Sequence, residues 1–438
     1  MPPVDHTLVA RLTNVVQDRL VAETTARLTQ DRPALDDNAQ TALAMDVIAT
    51  ELRAVDSQRI ASGHVRLDEA AEEQVTQRVL ALAVGLGPPQ MLLANPDLEE
   101  LVATRFDLLF GYYRGGDTRE IDERVFGSEA EMEAWLSLVA RTRGRTERSF
   151  NSQTPMLVMQ LGEGSGLRLS AMREVSQHVS FTLRRNTLGK VSLGDLVGLG
   201  MMPAVIAEFL MACVHAPEIR LVICGATNSG KSTLSRALLG ALGPLVRVII
   251  IEDTAELELF DPVTHPNVES WEQRLPNNEG EGGITQGMLV KQALRYRPDY
   301  LTVGEVRDSD AAVPFLKAGT HGQASLTTVH SASAVGALDK LALYLATGED
   351  RLPPDVAHNQ LAQAIDFIVH VDRDPTGHRM VDEVIEVSGF DGKRCTTNTI
   401  MTRDRHGEPV LTQRLTERHT RVLQRAGFDD SMLGGGFR

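Results

Sequence analysis

The chain has 438 residues and a formal net charge of −15, with 44 basic against 59 acidic side chains; 42% of residues are apolar but only 4% aromatic. Such a length accommodates two or three domains with a sizeable core, and an interior of Ala, Leu and Val suits helices and parallel sheets better than a β-sandwich. The acidic balance argues against nucleic acid as the main ligand, because the phosphate backbone would be repelled.

Cys213, Cys224 and Cys395 stand too far apart for a zinc ribbon or a disulfide framework, which suits a reducing compartment. The sequence presents no basic-then-apolar leader and no apolar run of bilayer length, so work at a membrane requires recruitment by a partner. Residues 1–94 read as helical. Leu8, Leu12, Val15, Val16 and Leu20 share one face, and Pro33 interrupts the pattern. A second stripe carries Leu43, Val47, Ile48, Leu52 and Val55. A third starts near Asp68 and runs through Val75, Val79, Leu80 and Leu82 to Gly87. These stripes are expected to be packing surfaces.

Residues 95–185 read as an α+β domain. Strands are expected at 99–103, 107–110, 156–161, 167–172 and 179–183, with a helix over 129–141 and turns at Gly116 and around Gly164. Basic residues cluster here: Arg141, Arg143, Arg145, Arg148, Arg168, Arg173, Arg184 and Arg185. Most suit a solvated, salt-bridged face. One or two could instead reach a γ-phosphate as arginine fingers. A linker is expected over 186–200, with a helix starting at Ser192.

Residues 221–242 carry the most specific signal. A short apolar strand leads into Gly225, Ala226, Thr227, Asn228, Ser229, Gly230, Lys231, Ser232 and Thr233, and then into a helix over 232–242. This is the G-x-x-x-x-G-K-[ST] spacing between a strand and a helix. Its glycines let backbone N–H groups converge on phosphate oxygens. Lys231 supplies a mobile charge to the β- and γ-phosphates, and the Ser232 hydroxyl can ligate Mg²⁺.

Residues 246–251 form a β-branched run, expected to be a buried parallel strand that delivers Glu252, Asp253 and Glu256 at its carboxyl end. Carboxylates there can support Mg²⁺ or orient a nucleophilic water. Residues 265–283 read as a long loop and 287–297 as a helix stopped by Pro298. The strand at 300–303 is followed by Gly304 and Glu305, an acidic residue suited to polarising the attacking water. The strand at 324–329 ends in His330. A histidine sensing the phosphates fits that place better than a metal ligand, since no cysteine or carboxylate pair stands at ligand spacing.

The four stretches together, GATNSGKST, IIIEDTAELEL, LTVGEVRD and GTHGQASLTTVHS, resemble the Walker A, Asp box, atypical Walker B and His box of the secretion ATPase superfamily of type II and type IV secretion and type IV pili. Their wording is most similar to the tight-adherence (Flp-type) pilus and type IV secretion branch. The likeness covers roughly residues 95–395. Asn228 and Ser232 stand where Gly and Thr are usual. The resemblance implies an α/β fold: a RecA-like P-loop ATPase domain over 201–438, with a C-terminal extension, behind the α+β (PAS-like) domain and the N-terminal helical segment. It also implies a homohexamer that hydrolyses ATP with Mg²⁺ to power pilus assembly or secretion. Such a ring would be cytoplasmic, peripheral to the membrane's inner face and docked on an inner-membrane platform protein. The implied site comprises Lys231 and Ser232 on phosphates and metal, Glu305 on the water, Glu252 and Glu256 in support, and His330 as link. Arg168 and Arg185 would close it. A nucleotide-gated scaffold and a RecA-type DNA motor are the competing readings. GTP is disfavoured by the lack of an N-K-x-D motif.

Overall fold

The computed structural model describes residues 6–29, 37–63, 65–114, 116–142, 149–161, 166–185, 191–274, 276, 281–348, 351–374, 376–412 and 415–433. The chain divides into two compact units, residues 1–185 and 186–438.

The first unit opens with α1 (His6–Thr29), α2 (Asp37–Ala61) and α3 (Glu69–Ala83). The expected apolar stripes meet here, with Leu12, Ile48 and Val79 among the buried side chains of their common core. Asp68 caps α3 by accepting from Ala71 N–H, and Glu69 and Glu72 complement the positive end of the helix. A short α4 (Gln90–Leu93) leads into β1 (Leu98–Arg105), β2 (Leu108–Tyr113), β3 (Thr118–Ile121), α5 (Glu129–Thr142), β4 (Met156–Leu161), β5 (Leu167–Met172) and β6 (Ser180–Arg185). The six strands form an antiparallel sheet in the order β3-β2-β1-β6-β5-β4. Met132, Trp135 and Leu136 of α5 pack on it, and Trp135 lies 5.1 Å from the Phe181 ring. The exposed edge strand β3 had no apolar pattern to announce it.

The second unit comprises α6 (Leu193–Gly198), α7 (Ala204–His215), β7 (Arg220–Gly225), α8 (Lys231–Leu239), β8 (Val248–Glu252), β9 (Val268–Glu272), α9 (Gln286–Ala293), β10 (Tyr300–Val303), α10 (Ser309–Thr320), β11 (Ser325–Val329), α11 (Ala334–Thr347), α12 (Pro354–Ala364), β12 (Phe367–Arg373), β13 (Arg379–Phe390), β14 (Cys395–Arg403), β15 (Pro409–Leu411) and α13 (Glu417–Arg425). Its sheet runs β15-β14-β13-β12-β7-β11-β10-β8-β9. Strands β12 to β9 are parallel; β13 to β15 are antiparallel additions. Alternate residues of the central strands feed two different cores, as the two-residue period of a strand requires. Leu221, Ile223 and Ile250 face α6, α7, α8 and α13, whereas Val222, Ile249 and Ile251 face α9 to α12. Burial on both faces explains the unbroken apolar runs.

The expected loop over 265–283 is corrected. It contains β9, which pairs in parallel with β8 from Val268 opposite Val248 to Glu272 opposite Glu252. Its sequence, VESWE, is half-buried and polar, so the ladder with β8 rather than a hydrophobic pattern makes it a strand.

Candidate nucleotide site

β7, β8, β10 and β11 all deliver their carboxyl ends to one edge of the sheet, the crevice where open α/β sheets bind ligands. The loop after β7 is shaped by two glycines. A Cβ at Gly225 would stand 2.1 Å from the Val371 carbonyl oxygen, and Gly230 holds φ at +105° just before α8. Between them Asn228 has φ +61°, a left-handed conformation that Asn tolerates better than most residues; this explains how it replaces a glycine. Ala226, Thr227 and Asn228 are exposed, Ser229 and Lys231 are buried, and Ser232 and Thr233 are half-buried in the first turn of α8.

Lys231 Nζ donates to the Gly225 and Ala226 carbonyls at 3.0 and 2.7 Å and lies 3.3 Å from His330 Nδ1. His330 Nε2 in turn stands 2.7 Å from Glu305 Oε1. A neutral ring lets Nδ1 accept from the ammonium, whereas Nε2 meets Glu305 Oε1 only at ion-pair distance, that buried oxygen having no hydrogen-bond partner. Burial lowers the His330 pKa, against the opposite pull of Glu305, which favours that neutral form. Burial also lowers the Lys231 pKa, again opposed by Glu305. Lys340 donates to the His330 carbonyl at 2.7 Å and fixes the strand end.

Glu305 is held from its other side. Arg307 Nε donates to Glu305 Oε2 at 2.8 Å, and its NH1 reaches Asp253 Oδ2 at 2.6 Å. In the amide orientation that pairs donors with acceptors, Gln286 donates to the Glu305 carbonyl at 3.2 Å and accepts from Asp253 N–H at 3.0 Å. Glu252 lies beneath. Its Oε1 accepts from the N–H groups of Glu256 and Leu257 at 3.1 and 3.2 Å, while its buried Oε2 has no hydrogen-bond partner. Burial pushes its carboxyl up to about 8. A Cβ on Gly304 would come 2.8 Å from Glu252 Cγ, so the glycine before Glu305 makes room for this second carboxylate.

The structure thus brings Lys231, His330, Glu305, Glu252 and Glu256 to one edge. Arg168 and Arg185 belong to the first unit. Arg168 sits on β5 opposite Arg184 and Gln160. Arg185 donates to the carbonyls of Leu93, Leu98 and Asn95, so its guanidinium already ties α4 to the sheet. Arg173 pairs with Glu133 at 2.6 Å and Glu174 at 3.0 Å. Arg143, Arg145, Arg148 and the side chain of Arg141 lie outside the described residues. Sequence reasoning missed Arg307, Gln286 and Lys340 as partners of the site. Only Arg307 had a local signal, standing two residues after Glu305.

The residues present fit a magnesium–nucleotide. Ser229 Oγ is buried in the loop without a hydrogen-bond partner, and so is Glu252 Oε2 at the end of β8. Among the described residues no group of three or more His, Cys, Asp or Glu could hold a metal by itself.

The family model described as "Type II/IV secretion system protein" matches residues 147–425. The chain belongs to this family. It is 33% identical over 213 residues to a putative conjugal transfer protein of Mycobacterium tuberculosis, covering 45% of this chain and 55% of the relative. It is 38% identical over 171 residues to protein VirB11 of Agrobacterium fabrum, covering 37% and 46%. The chain spans about half the length of such curated relatives. Among solved structures, the pilus retraction motor PilT with bound ADP aligns with a TM-score of 0.50 at 16% identity, over 77% of this chain and 86% of that one, a likeness of fold alone. The RecA-like fold expected from the motifs is therefore present.

Proposed function

We propose that this protein is an ATP hydrolase, one subunit of a homohexameric motor that powers pilus assembly or the secretion of protein or DNA. The observation that supports it best is the continuous Lys231–His330–Glu305 contact at the carboxyl edge of the sheet. Relatives named for conjugal transfer and a fold neighbour that retracts pili support the motor reading. In this reading residues 1–94, 95–185 and 201–438 are the domains and 186–200 the linker. The ring lies in the cytoplasm against the membrane's inner face, on an inner-membrane platform protein. Among the described residues no helix is long and apolar enough to cross a membrane.

A triphosphate offers Lys231 a stronger acceptor than the two loop carbonyls it now holds. Ser232 and the phosphates would hold Mg²⁺, with Glu252 and Glu256 around it; the ion supplies charge neutralisation at the β- and γ-oxygens. Glu305 orients water toward the γ-phosphorus and takes up the proton as the P–O bond to the β-phosphate breaks. His330 moves when Lys231 leaves it, which relays phosphate state to Glu305. Arg168 and Arg185 are proposed to close the site, Arg185 only by releasing the carbonyls it holds.

Lys231→Ala is expected to abolish ATP turnover in a folded protein. Glu305→Gln is expected to bind ATP with near-native affinity and turn it over about 10²-fold or more slowly. Wild-type turnover by the lysine variant would defeat the assignment. Tight ATP binding by the native chain with no turnover would instead make it a nucleotide-gated scaffold.

A further inference from the structure

The connection from β12 to β13 lies against the phosphate-binding loop although 145 residues separate them. Arg373 Nε and NH2 donate to the Asn228 carbonyl at 2.9 and 2.6 Å, and Arg379 Nε donates to the same oxygen at 3.2 Å. The two arginines face each other as the last register pair of the hairpin. Asp374 organises the turn by accepting from Thr376 N–H, Thr376 Oγ1 and His378 N–H. β12 reaches the loop because it runs parallel to β7, with Val371 opposite Gly225.

Three N–H donors on one carbonyl fix the peptide plane between Asn228 and Ser229. In a trans peptide the carbonyl and the following N–H point opposite ways. With the Asn228 oxygen drawn out to the hairpin, Ser229 N–H faces into the loop, where it donates to the Ala226 carbonyl at 3.3 Å. The same guanidiniums place two positive charges at the loop tip. Neither is needed to close the hairpin, whose ladder and Asp374 turn do that.

We propose that Arg373 and Arg379 are positioning residues that clamp the phosphate loop, holding the Asn228–Ser229 peptide with its N–H turned inward and thereby raising affinity for the phosphates of a nucleotide. This rests on the reading of the loop as a nucleotide site. A guanidinium–carbonyl bond is charge-assisted, so losing both sets should cost about 10–100-fold in phosphate affinity.

The test titrates the full chain with fluorescent N-methylanthraniloyl-ADP and displaces it with ATP or inorganic tripolyphosphate. The double variant R373Q/R379Q is expected to bind both phosphate ligands about 10–100-fold more weakly, with KM for ATP rising more than kcat falls. R373K/R379K should recover part of the loss, because an ammonium can still donate to the carbonyl. If the double Gln variant does not fold, R373Q and R379Q separately should each show a smaller loss. Native affinity for ADP and tripolyphosphate in the Gln variants overturns the clamp. A native chain that binds no nucleotide overturns the reading of the site itself, a result that needs no variant.

Discussion

At Glu252 the site stores an unusual protonation state. Burial lifts its carboxyl to about 8 from an ordinary 4.5, so the native chain keeps a proton that the unfolded chain releases. Between those two values the native state binds more protons, and stability from this group falls as pH rises toward 8. Glu252→Gln preserves the acceptor for Glu256 and Leu257 N–H and removes the charge. It is expected to raise Tm at pH 8.5 by at least about 2–4 °C, with the gain vanishing near pH 5; thermal denaturation at both pH values checks this. An equal gain at both would mean that the carboxyl is not neutral in the native chain. The acidic residues of the site were legible as types at strand ends. Which of them sits buried with an orphan oxygen was not, because that depends on Gly304, 52 positions along, leaving space for it.

Helix α13 shows how the C-terminal part of the chain is joined to the sheet. His419 is buried between Asp366 at 3.0 Å and Glu386 at 2.5 Å, and Arg220 binds Asp366 through Nε at 2.6 Å. The network therefore links α13 to β13 and to the starts of β7 and β12. Burial opposes the charged ring, but hydrogen bonds to both carboxylates outweigh it and raise the His419 pKa. This stabilisation is complete below about pH 6.5 and is lost as pH rises through the elevated native value. His419→Leu would take one partner from each of two buried carboxylates, leaving Asp366 to Arg220 and Glu386 to Thr416 and Asn398, at a cost of about 1–3 kcal/mol. Denaturant unfolding should find that deficit largest near pH 6 and smaller near pH 9. Helix starts with a capping side chain were legible, since Asp68 and Ser192 cap α3 and α6 where they were expected, whereas α7, α11, α12 and α13 were not foreseen. Edge strands β3 and β9 were missed because their pairing partners, not their own side chains, define them.

For the whole molecule, the two units each have their own buried cores. Residues 186–438 contain both faces of the nine-stranded sheet with the helices that cover them. Expressed alone, that segment is expected to fold, to unfold in a cooperative transition followed by circular dichroism, and to bind nucleotide; a molten, non-cooperative fragment would show that its core depends on the first unit.

The sequence by itself determined the family and the chemistry of the phosphate loop, because a short loop between a strand and a helix needs its glycines, lysine and hydroxyl at fixed local spacing. It also determined the buried parallel strands, whose apolar runs record burial on two faces. Only the tertiary structure decided which distant residues hold that loop and its carboxylates. Gln286, Arg373 and Arg379 reach the site through sheet order, and the order of strands in a sheet is set by packing between segments far apart in the chain rather than by any pattern within one of them.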